Sequence, residues 1–130
     1  MEISIPYGKD RDTVEIPEHN ISEIVYPNRV NISEPESILE HALDNPFNSE
    51  SFSSFLKRSS DILFIVNDGT RPTPTALILD LLSERMNLKD ARYIVATGDH
   101  RAPTEEEFKF IFGSFYEKLK SHIIVHDARK

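Results

Sequence analysis

The sequence predicts an α/β fold: a three-layer, Rossmann-like parallel sheet core over residues 61–126, preceded by an extension of short strands and helices. Three short runs are almost wholly apolar, as strands buried on both faces of a parallel sheet are. Segments with apolar residues at helical spacing separate these runs. The order strand–helix–strand–helix–strand is typical of a parallel sheet with helical crossovers.

Residues 1–60 form the predicted extension, because five of the eight prolines fall in the first 46 positions, between short alternating segments. Residues 2–5 and 13–16 are predicted to be strands joined by a turn at residues 7–10. A third short strand is predicted at residues 21–26.

Two helices are predicted in the second half of the extension. Ser33 and Glu36 have the spacing of a capping box, with Pro35 between them, and this predicts a helix that stops before Pro46. Its predicted inward face consists of Ile38, Leu39, Ala42 and Leu43. A second short helix is predicted over residues 50–57, with three apolar side chains on one face, Phe52, Phe55 and Leu56.

The predicted core has three strands, at residues 61–67, 92–97 and 123–125. Thr73 and Pro74 are predicted to open the first crossover helix. The buried face of that helix is predicted to consist of Leu77, Ile78, Leu81 and Leu82. Thr104 and Glu107 form a capping box for the second crossover helix, which Gly113 interrupts. The carboxylates at 105–107 are expected to form a solvated face stabilised by the helix dipole.

Composition and charge exclude several classes of protein. The 130 residues include 15 basic and 22 acidic side chains, a net charge of −7, which argues against binding to nucleic acid or to anionic lipid. The absence of Cys excludes disulfides, thiolate catalysis and Cys-ligated metals within this sequence. No paired metal-ligand spacing, long apolar run or secretory signal is visible, so we expect a cytoplasmic protein without a membrane partner.

Polar side chains concentrate in the three segments that follow the predicted strands. Because the carboxyl ends of parallel strands lie at one edge of a sheet, where ligands bind, these segments are expected to be neighbours in space. They are residues 67–72, 98–103 and 126–129. Two of the four glycines, Gly69 and Gly98, lie in them.

The first loop combines Asp68, Thr70 and Arg71 just before a predicted helix N-terminus. Free amides there favour an anion, and Arg71 can add a bidentate contact to a carboxylate or a phosphate. Asp68 can orient Arg71 or accept a hydrogen bond from a ligand hydroxyl. The alternative is that Asp68 and Thr70 only shape the turn, while Arg71 pairs with a surface acid.

His100 in the second loop is a candidate for proton transfer, because an imidazole beside charged groups exchanges protons near neutral pH. The alternative is a capping or surface histidine. His126 and Asp127 in the third loop are either ligands or structural groups, and the structural interpretation is favoured. The remaining histidines are predicted to lie on the surface or in caps: His19, His41 and His122.

The two loop motifs together resemble the N-terminal region of the LarA-like, nickel-dependent lactate racemases. The resemblance rests on residues 68–74, DGTRPTP, and residues 96–107, ATGDHRAPTEEE. Residues 5–9, IPYGK, and residues 43–46, LDNP, fit the same family. The resemblance therefore extends along essentially the whole chain.

The resemblance implies an isomerase that interconverts the stereoisomers of a small 2-hydroxy acid by hydride transfer. Its cofactor is a nickel pincer nucleotide, a pyridinium mononucleotide with sulfur donors, bound between two α/β domains. His100 matches one of two catalytic acid–base histidines. Residues 68–71 match the loop that contacts the cofactor or the reacting centre, with Arg71 and Asp68 directed to the substrate. Cofactor-binding residues implied in this way are Asp68, Gly69, Thr70 and Arg71.

Members of this family are several times longer than 130 residues. Their second acid–base histidine, cofactor-linking lysine and nickel ligand lie beyond the region of resemblance. The resemblance thus implies that residues 1–130 are a single domain, the N-terminal part of a two-domain enzyme whose partner is its own C-terminal domain. We expect this chain to be inactive alone and to bind no cofactor alone. The alternative is a non-catalytic α/β module that binds a carboxylate or another anion.

Overall fold

The protein, a computed structural model, is described over residues 1–30 and 33–129. The chain forms two compact units, divided between residues 32 and 33. The two helices of the predicted extension belong to the same unit as the parallel sheet.

The N-terminal unit is built on a β-hairpin, as the sequence predicts. Strand β1 (Glu2–Tyr7) pairs antiparallel with β2 (Asp10–Glu15), from the pair Glu2 and Glu15 to the pair Tyr7 and Asp10. A 3-10 turn follows at Glu18–Asn20. The predicted third strand at residues 21–26 is wrong: among the described residues the hairpin sheet has only two strands. Without a strand partner this segment leaves Ile24, Val25 and Tyr26 exposed to solvent, while Ile21 is half-buried.

The second unit begins with α1 (Pro35–Asp44) and α2 (Phe52–Arg58). The predicted capping box at Ser33 is wrong, because Glu34 is the N-cap and makes no side-chain capping bond. The residue before a proline is confined to extended backbone, so the cap falls on Glu34. The predicted inward face of α1 is half right: Leu39 and Leu43 are half-buried, whereas Ile38 and Ala42 are exposed. The apolar face of α2 is half-buried as predicted.

The parallel sheet confirms the predicted α/β core. Its strands are β3 (Ile62–Asn67), β4 (Ala91–Ala96) and β5 (Ile123–Val125), in that spatial order and all parallel. Asn67 is the register partner of Ala96, and Val95 is the partner of Val125. The three strands therefore end close to one level at their carboxyl edge.

Helices α3 (Thr75–Ser83) and α4 (Glu105–Phe112) cross between the strands, and α5 (Tyr116–Leu119) follows α4. In α3 the predicted buried face is shifted: Leu79 and Leu82 are fully buried, while Leu77, Ile78 and Leu81 are half-buried. The capping box at the start of α4 is confirmed. Further 3-10 turns lie at Leu88–Asp90, Gly113–Phe115 and Lys120–His122.

Gly113 ends α4 where no other residue fits. Its φ of +55° is a left-handed conformation that side chains disfavour. A Cβ atom built there would lie 2.9 Å from the Cβ of Ala76 in α3. The close approach of the two crossover helices at this point therefore requires glycine.

The centre of the core is aromatic. Tyr93 and Phe112 are both 0% exposed. The Tyr93 ring stacks on Phe64 at 5.4 Å between centroids and meets Phe112 edge-on at 5.8 Å. Its hydroxyl donates to the carbonyl of Leu88 at 2.9 Å, and burial raises the pKa of Tyr93 to about 12. The cluster fixes β4 between its neighbours.

One face of the sheet is open in this chain. Ile62, Phe64 and Val66 face the core, whereas Leu63 and Ile65 on the opposite face are 47% and 74% exposed. Burial of β3 on both faces was predicted from its continuous apolar run, and that prediction is wrong. Alternation of side chains across a strand places every second residue on the open face. None of the described helices is long and apolar enough to span a membrane.

Candidate functional site

The candidate site lies where the chain leaves β3 and β4. Because Asn67 and Ala96 are register partners, the next residues, Asp68 and Thr97, begin their loops side by side. Both are buried, at 6% and 3% exposure. The sequence places these polar residues directly after apolar strands, and the parallel register brings their loops together.

Asp68 is the centre of the first loop. One carboxylate oxygen, Oδ1, accepts hydrogen bonds from the hydroxyl of Thr70 at 2.6 Å and from its backbone amide at 3.1 Å. The carbonyl of Asp68 accepts from the amide of Arg71 at 3.2 Å. These bonds close a tight turn and hold the carboxylate in one orientation.

The second oxygen of Asp68 contacts the second loop. Oδ2 lies 2.6 Å from Nδ1 of His100, whose side chain is 56% exposed. The hydroxyl of Thr70, and then His100, keep the pKa of Asp68 below its usual value despite burial. An ionised carboxylate can only accept, so His100 donates from Nδ1, and the neutral imidazole in this tautomer has its lone pair on Nε2. The geometry thus produces a carboxylate–imidazole pair suited to proton transfer.

The other predicted residues of the first loop have different surroundings. Gly69 packs against the side chain of Glu107, since a Cβ there would lie 3.1 Å from Cγ and 3.2 Å from Cβ of that residue. The hydroxyl of Thr70 is used by Asp68. Arg71 is exposed, and its guanidinium has no hydrogen bond with any residue that the structure describes. Of this loop, Asp68 is the residue that contacts His100.

Glu107 has partners that the sequence does not reveal. Its carboxylate forms a two-point ion pair with Arg101, at 2.7 Å and 2.9 Å, and accepts from the amide of Thr104 at 2.7 Å. The expectation that Glu107 lies on a merely solvated face is therefore wrong. The capping-box spacing was a signal for the Thr104 contact but not for the one with Arg101.

Two cavities flank His100. The smaller, of about 260 Å³, lies between Asp68, Thr70 and Glu107. The larger, of about 600 Å³, lies between the loops after β4 and β5, and Arg129 contributes to its lining. His100 and Arg101 line both cavities. A ligand in either cavity therefore meets the imidazole.

His126 lies across the larger cavity from the second loop. Its amide donates to the carbonyl of Val95 at 3.0 Å, and its carbonyl accepts from the hydroxyl of Thr97 at 2.8 Å. The backbone of His126 thus extends the β4–β5 ladder, and its side chain is exposed in the cavity lining. Within residues 1–30 and 33–129, no group of three or more His, Asp or Glu side chains is arranged to hold a metal ion.

The ion pair of Glu107 predicts that its contribution to the free energy of unfolding is lost at acid pH. Arg101, and then the amide of Thr104, lower the pKa of Glu107 from 4.5 to about 2. The stabilisation is fully present above the unfolded value near 4.5 and is lost as the pH falls through about 2. We expect the difference in unfolding free energy between the wild type and Glu107→Gln to shrink as the pH falls from about 4.5 to about 2. Urea titrations at a series of pH values measure this difference. A difference that does not change with pH would contradict the prediction, and Glu106→Gln is the matched control.

Comparison with known proteins gives concordant results along the sequence. The family described as "Lactate racemase N-terminal domain" matches residues 7–130. The lactate racemase of Thermoanaerobacterium thermosaccharolyticum is 33% identical over 135 residues, which cover 98% of this chain and 31% of that protein. The lactate racemase of Lactiplantibacillus plantarum is 32% identical over 141 residues, covering 98% and 32%. The chain thus spans about a third of the length of these relatives.

The fold agrees with the sequence comparison. The solved structure of the lactate racemase apoprotein from Thermoanaerobacterium thermosaccharolyticum superimposes with a TM-score of 0.73 and 34% identity. The match covers 98% of this chain and 30% of that one. Sequence and structure therefore agree that the chain belongs to the lactate racemase N-terminal domain family.

Proposed function

We propose that this chain is the N-terminal, substrate- and cofactor-binding domain of a two-domain 2-hydroxy-acid racemase or epimerase, and that it is inactive alone. The observation that carries the proposal is the 2.6 Å contact between Asp68 and His100, beside a cavity of about 600 Å³. A buried carboxylate that orients an exposed imidazole is an arrangement suited to proton transfer to and from a hydroxyl group.

His100 is the proposed catalytic residue and Asp68 its positioning partner. In this scheme Nε2 of His100 accepts the proton of the substrate's 2-hydroxyl group. Asp68 then stabilises the imidazolium through Nδ1, as the carboxylate does in other acid–base pairs. When the proton returns from Nε2 to the oxygen, the 2-hydroxy acid is restored. Arg71, exposed at the same edge, is the proposed partner of the substrate carboxylate.

A nickel pincer nucleotide is the proposed cofactor of the complete enzyme. When bound, it supplies an acceptor that takes a hydride from C2 and returns it to either face. Arg129 and His126 line a cavity whose volume is in the range of ligand sites, and their donors suit the phosphate of a mononucleotide. The loop of Asp68, Gly69, Thr70 and Arg71 is proposed to contact the same cofactor. The nickel ligand is expected to come from outside the described residues, which offer no metal cluster.

An assay of the complete protein tests the proposal. With cofactor loaded, it should interconvert the enantiomers of lactate or of a longer 2-hydroxy acid, as measured by chiral chromatography, while residues 1–130 alone should not. Turnover by the isolated chain would contradict the claim that it is inactive alone. No turnover by the complete protein, combined with nickel-independent binding of 2-hydroxy or 2-keto acids to this chain, would favour a non-catalytic anion-binding module.

Arg71→Ala is predicted to raise the KM of the complete enzyme about 10- to 100-fold, the effect of losing a hydrogen bond between charged groups. The matched control is Arg92→Ala, because Arg92 pairs with Asp61 near the opposite edge of the sheet. The KM of this control should be unchanged, as measured by initial rates. An unchanged KM for Arg71→Ala would remove Arg71 from the substrate site.

A further inference from the structure

We propose that Glu107 is a positioning residue that clasps the two loops of the site together. The clasp consists of Glu107 with Gly69 in the first loop and Arg101 in the second. Each partner is the chain neighbour of one member of the acid–base pair: Gly69 follows Asp68, and Arg101 follows His100. In the complete enzyme the clasp would act on the rate through His100, and this part rests on the proposed function.

The contact with Arg101 fixes the second loop. The two terminal guanidinium nitrogens each donate to one carboxylate oxygen, Nη1 to Oε2 at 2.7 Å and Nη2 to Oε1 at 2.9 Å. The same guanidinium donates to the carbonyl of Ala102 at 2.9 Å, which ties the side chain to its own loop. A planar two-point pair restricts orientation as well as distance. The backbone that carries His100 is thereby anchored to the first turn of α4.

The contact with Gly69 fixes the first loop. The aliphatic stem of Glu107 lies so close that even a methyl group at position 69 would be 3.1 Å from Cγ. A side chain at residue 69 would have to push this stem away, so glycine allows the first loop to approach the start of α4 this closely. Gly69 therefore has a packing role of its own, apart from the proposed contact with a cofactor.

Capping alone does not explain this arrangement. A capping box needs one side-chain acceptor for the N-cap amide, and glutamine serves as well as glutamate. Oxygen Oε2 of Glu107 accepts from the amide of Thr104 at 2.7 Å as well as from Arg101, while Oε1 accepts from Arg101 and takes no part in the cap. Glu107→Gln keeps an oxygen for the amide of Thr104 and keeps the aliphatic stem against Gly69. It replaces one carboxylate oxygen by an NH₂ group, which cannot accept a hydrogen bond from Arg101. This variant therefore separates the contact between Glu107 and Arg101 from helix capping.

The test measures the chemical shifts of the ring nitrogens of His100 in this chain, by nitrogen-15 NMR of labelled histidine. These shifts report the tautomer of the imidazole. In the wild type His100 should be the Nδ1–H tautomer, because Asp68 accepts that proton. In Glu107→Gln the ring signals should move toward those of the exposed His19, as the contact with Asp68 becomes less populated. Glu106→Gln, which removes the same charge from the same helix turn, should leave them unchanged.

A double-mutant comparison strengthens the test. Arg101→Gln should shift the His100 signals as Glu107→Gln does, and the two changes together should add little, because both remove one ion pair. Wild-type His100 signals in either single variant, with circular dichroism showing an intact fold, would overturn the proposal. This result does not depend on whether the complete protein is a racemase.

If the complete protein racemises a 2-hydroxy acid, Glu107→Gln should lower kcat about 10-fold with little change in KM, since misplacing a catalytic group affects chemistry more than binding. An equal decrease of kcat in Glu107→Gln and Glu106→Gln would show that the rate depends on the charge of the helix turn and not on the clasp. Absence of racemisation in the wild type would count against the proposed function, while the NMR test would still decide the clasp.

Discussion

Replacing His100 by alanine in the complete protein, with the racemase activity and the acid–base role of His100 that we propose, is expected to lower kcat by about 10²- to 10⁴-fold, the usual contribution of a positioned acid or base. The physical reason is the loss of Nε2, the acceptor that the contact between Nδ1 and Asp68 leaves free. The fold should persist, because the His100 side chain is 56% exposed and Asp68 keeps both bonds from Thr70. Rates with each enantiomer and circular dichroism of the variant measure the two effects.

His41→Ala is the matched control for this prediction. His41 is an exposed histidine of α1 that lines neither cavity beside His100, so its removal should leave kcat unchanged. If His100→Ala retained the wild-type rate with both enantiomers, the imidazole would not transfer the proton. The contact between Asp68 and His100 would then be a structural link between loops.

Phe112→Ala should produce the largest loss of stability, about 3–5 kcal/mol in the free energy of unfolding. The ring is 0% exposed and meets Tyr93 edge-on at 5.8 Å, so its removal leaves a cavity against β4. Phe110 lies on the same helix but is 60% exposed, and Phe110→Ala should change the free energy by only about 0.5 kcal/mol. Urea unfolding of both variants checks the prediction, and similar losses in the two would contradict this description of the core.

The parallel core could be predicted because its signals are local. The apolar runs that became β3, β4 and β5, and the spacing of Thr104 and Glu107, follow from rules that act within about ten residues. The strand predicted at residues 21–26 failed because a strand also needs a partner, and pairing is not a local property. The exposed Ile65 has the same explanation: its run of neighbours is apolar, but the layer that covers it is not specified locally.

The site could be predicted only to the level of its loops. The topology of parallel strands was enough to bring Asp68 and His100 to one edge. Their 2.6 Å contact depends on side-chain positions 32 residues apart in sequence, which no local pattern specifies. The ion pair between Arg101 and Glu107 was missed because it also depends on side-chain positions. The capping box already accounted for Glu107, and no local pattern indicated the direction of the Arg101 side chain.

The register of the sheet limits where insertions and deletions can occur in related sequences. Asn67 and Ala96 are partners, and a slip of β3 against β4 by two residues, the smallest that keeps the same side chains inward, would displace the loops by about 6.6 Å. Asp68 and His100 would then lose contact. Insertions and deletions should therefore accumulate in the connections at the amino-terminal edge of the sheet, and within β3 and β4 the number of residues should stay constant.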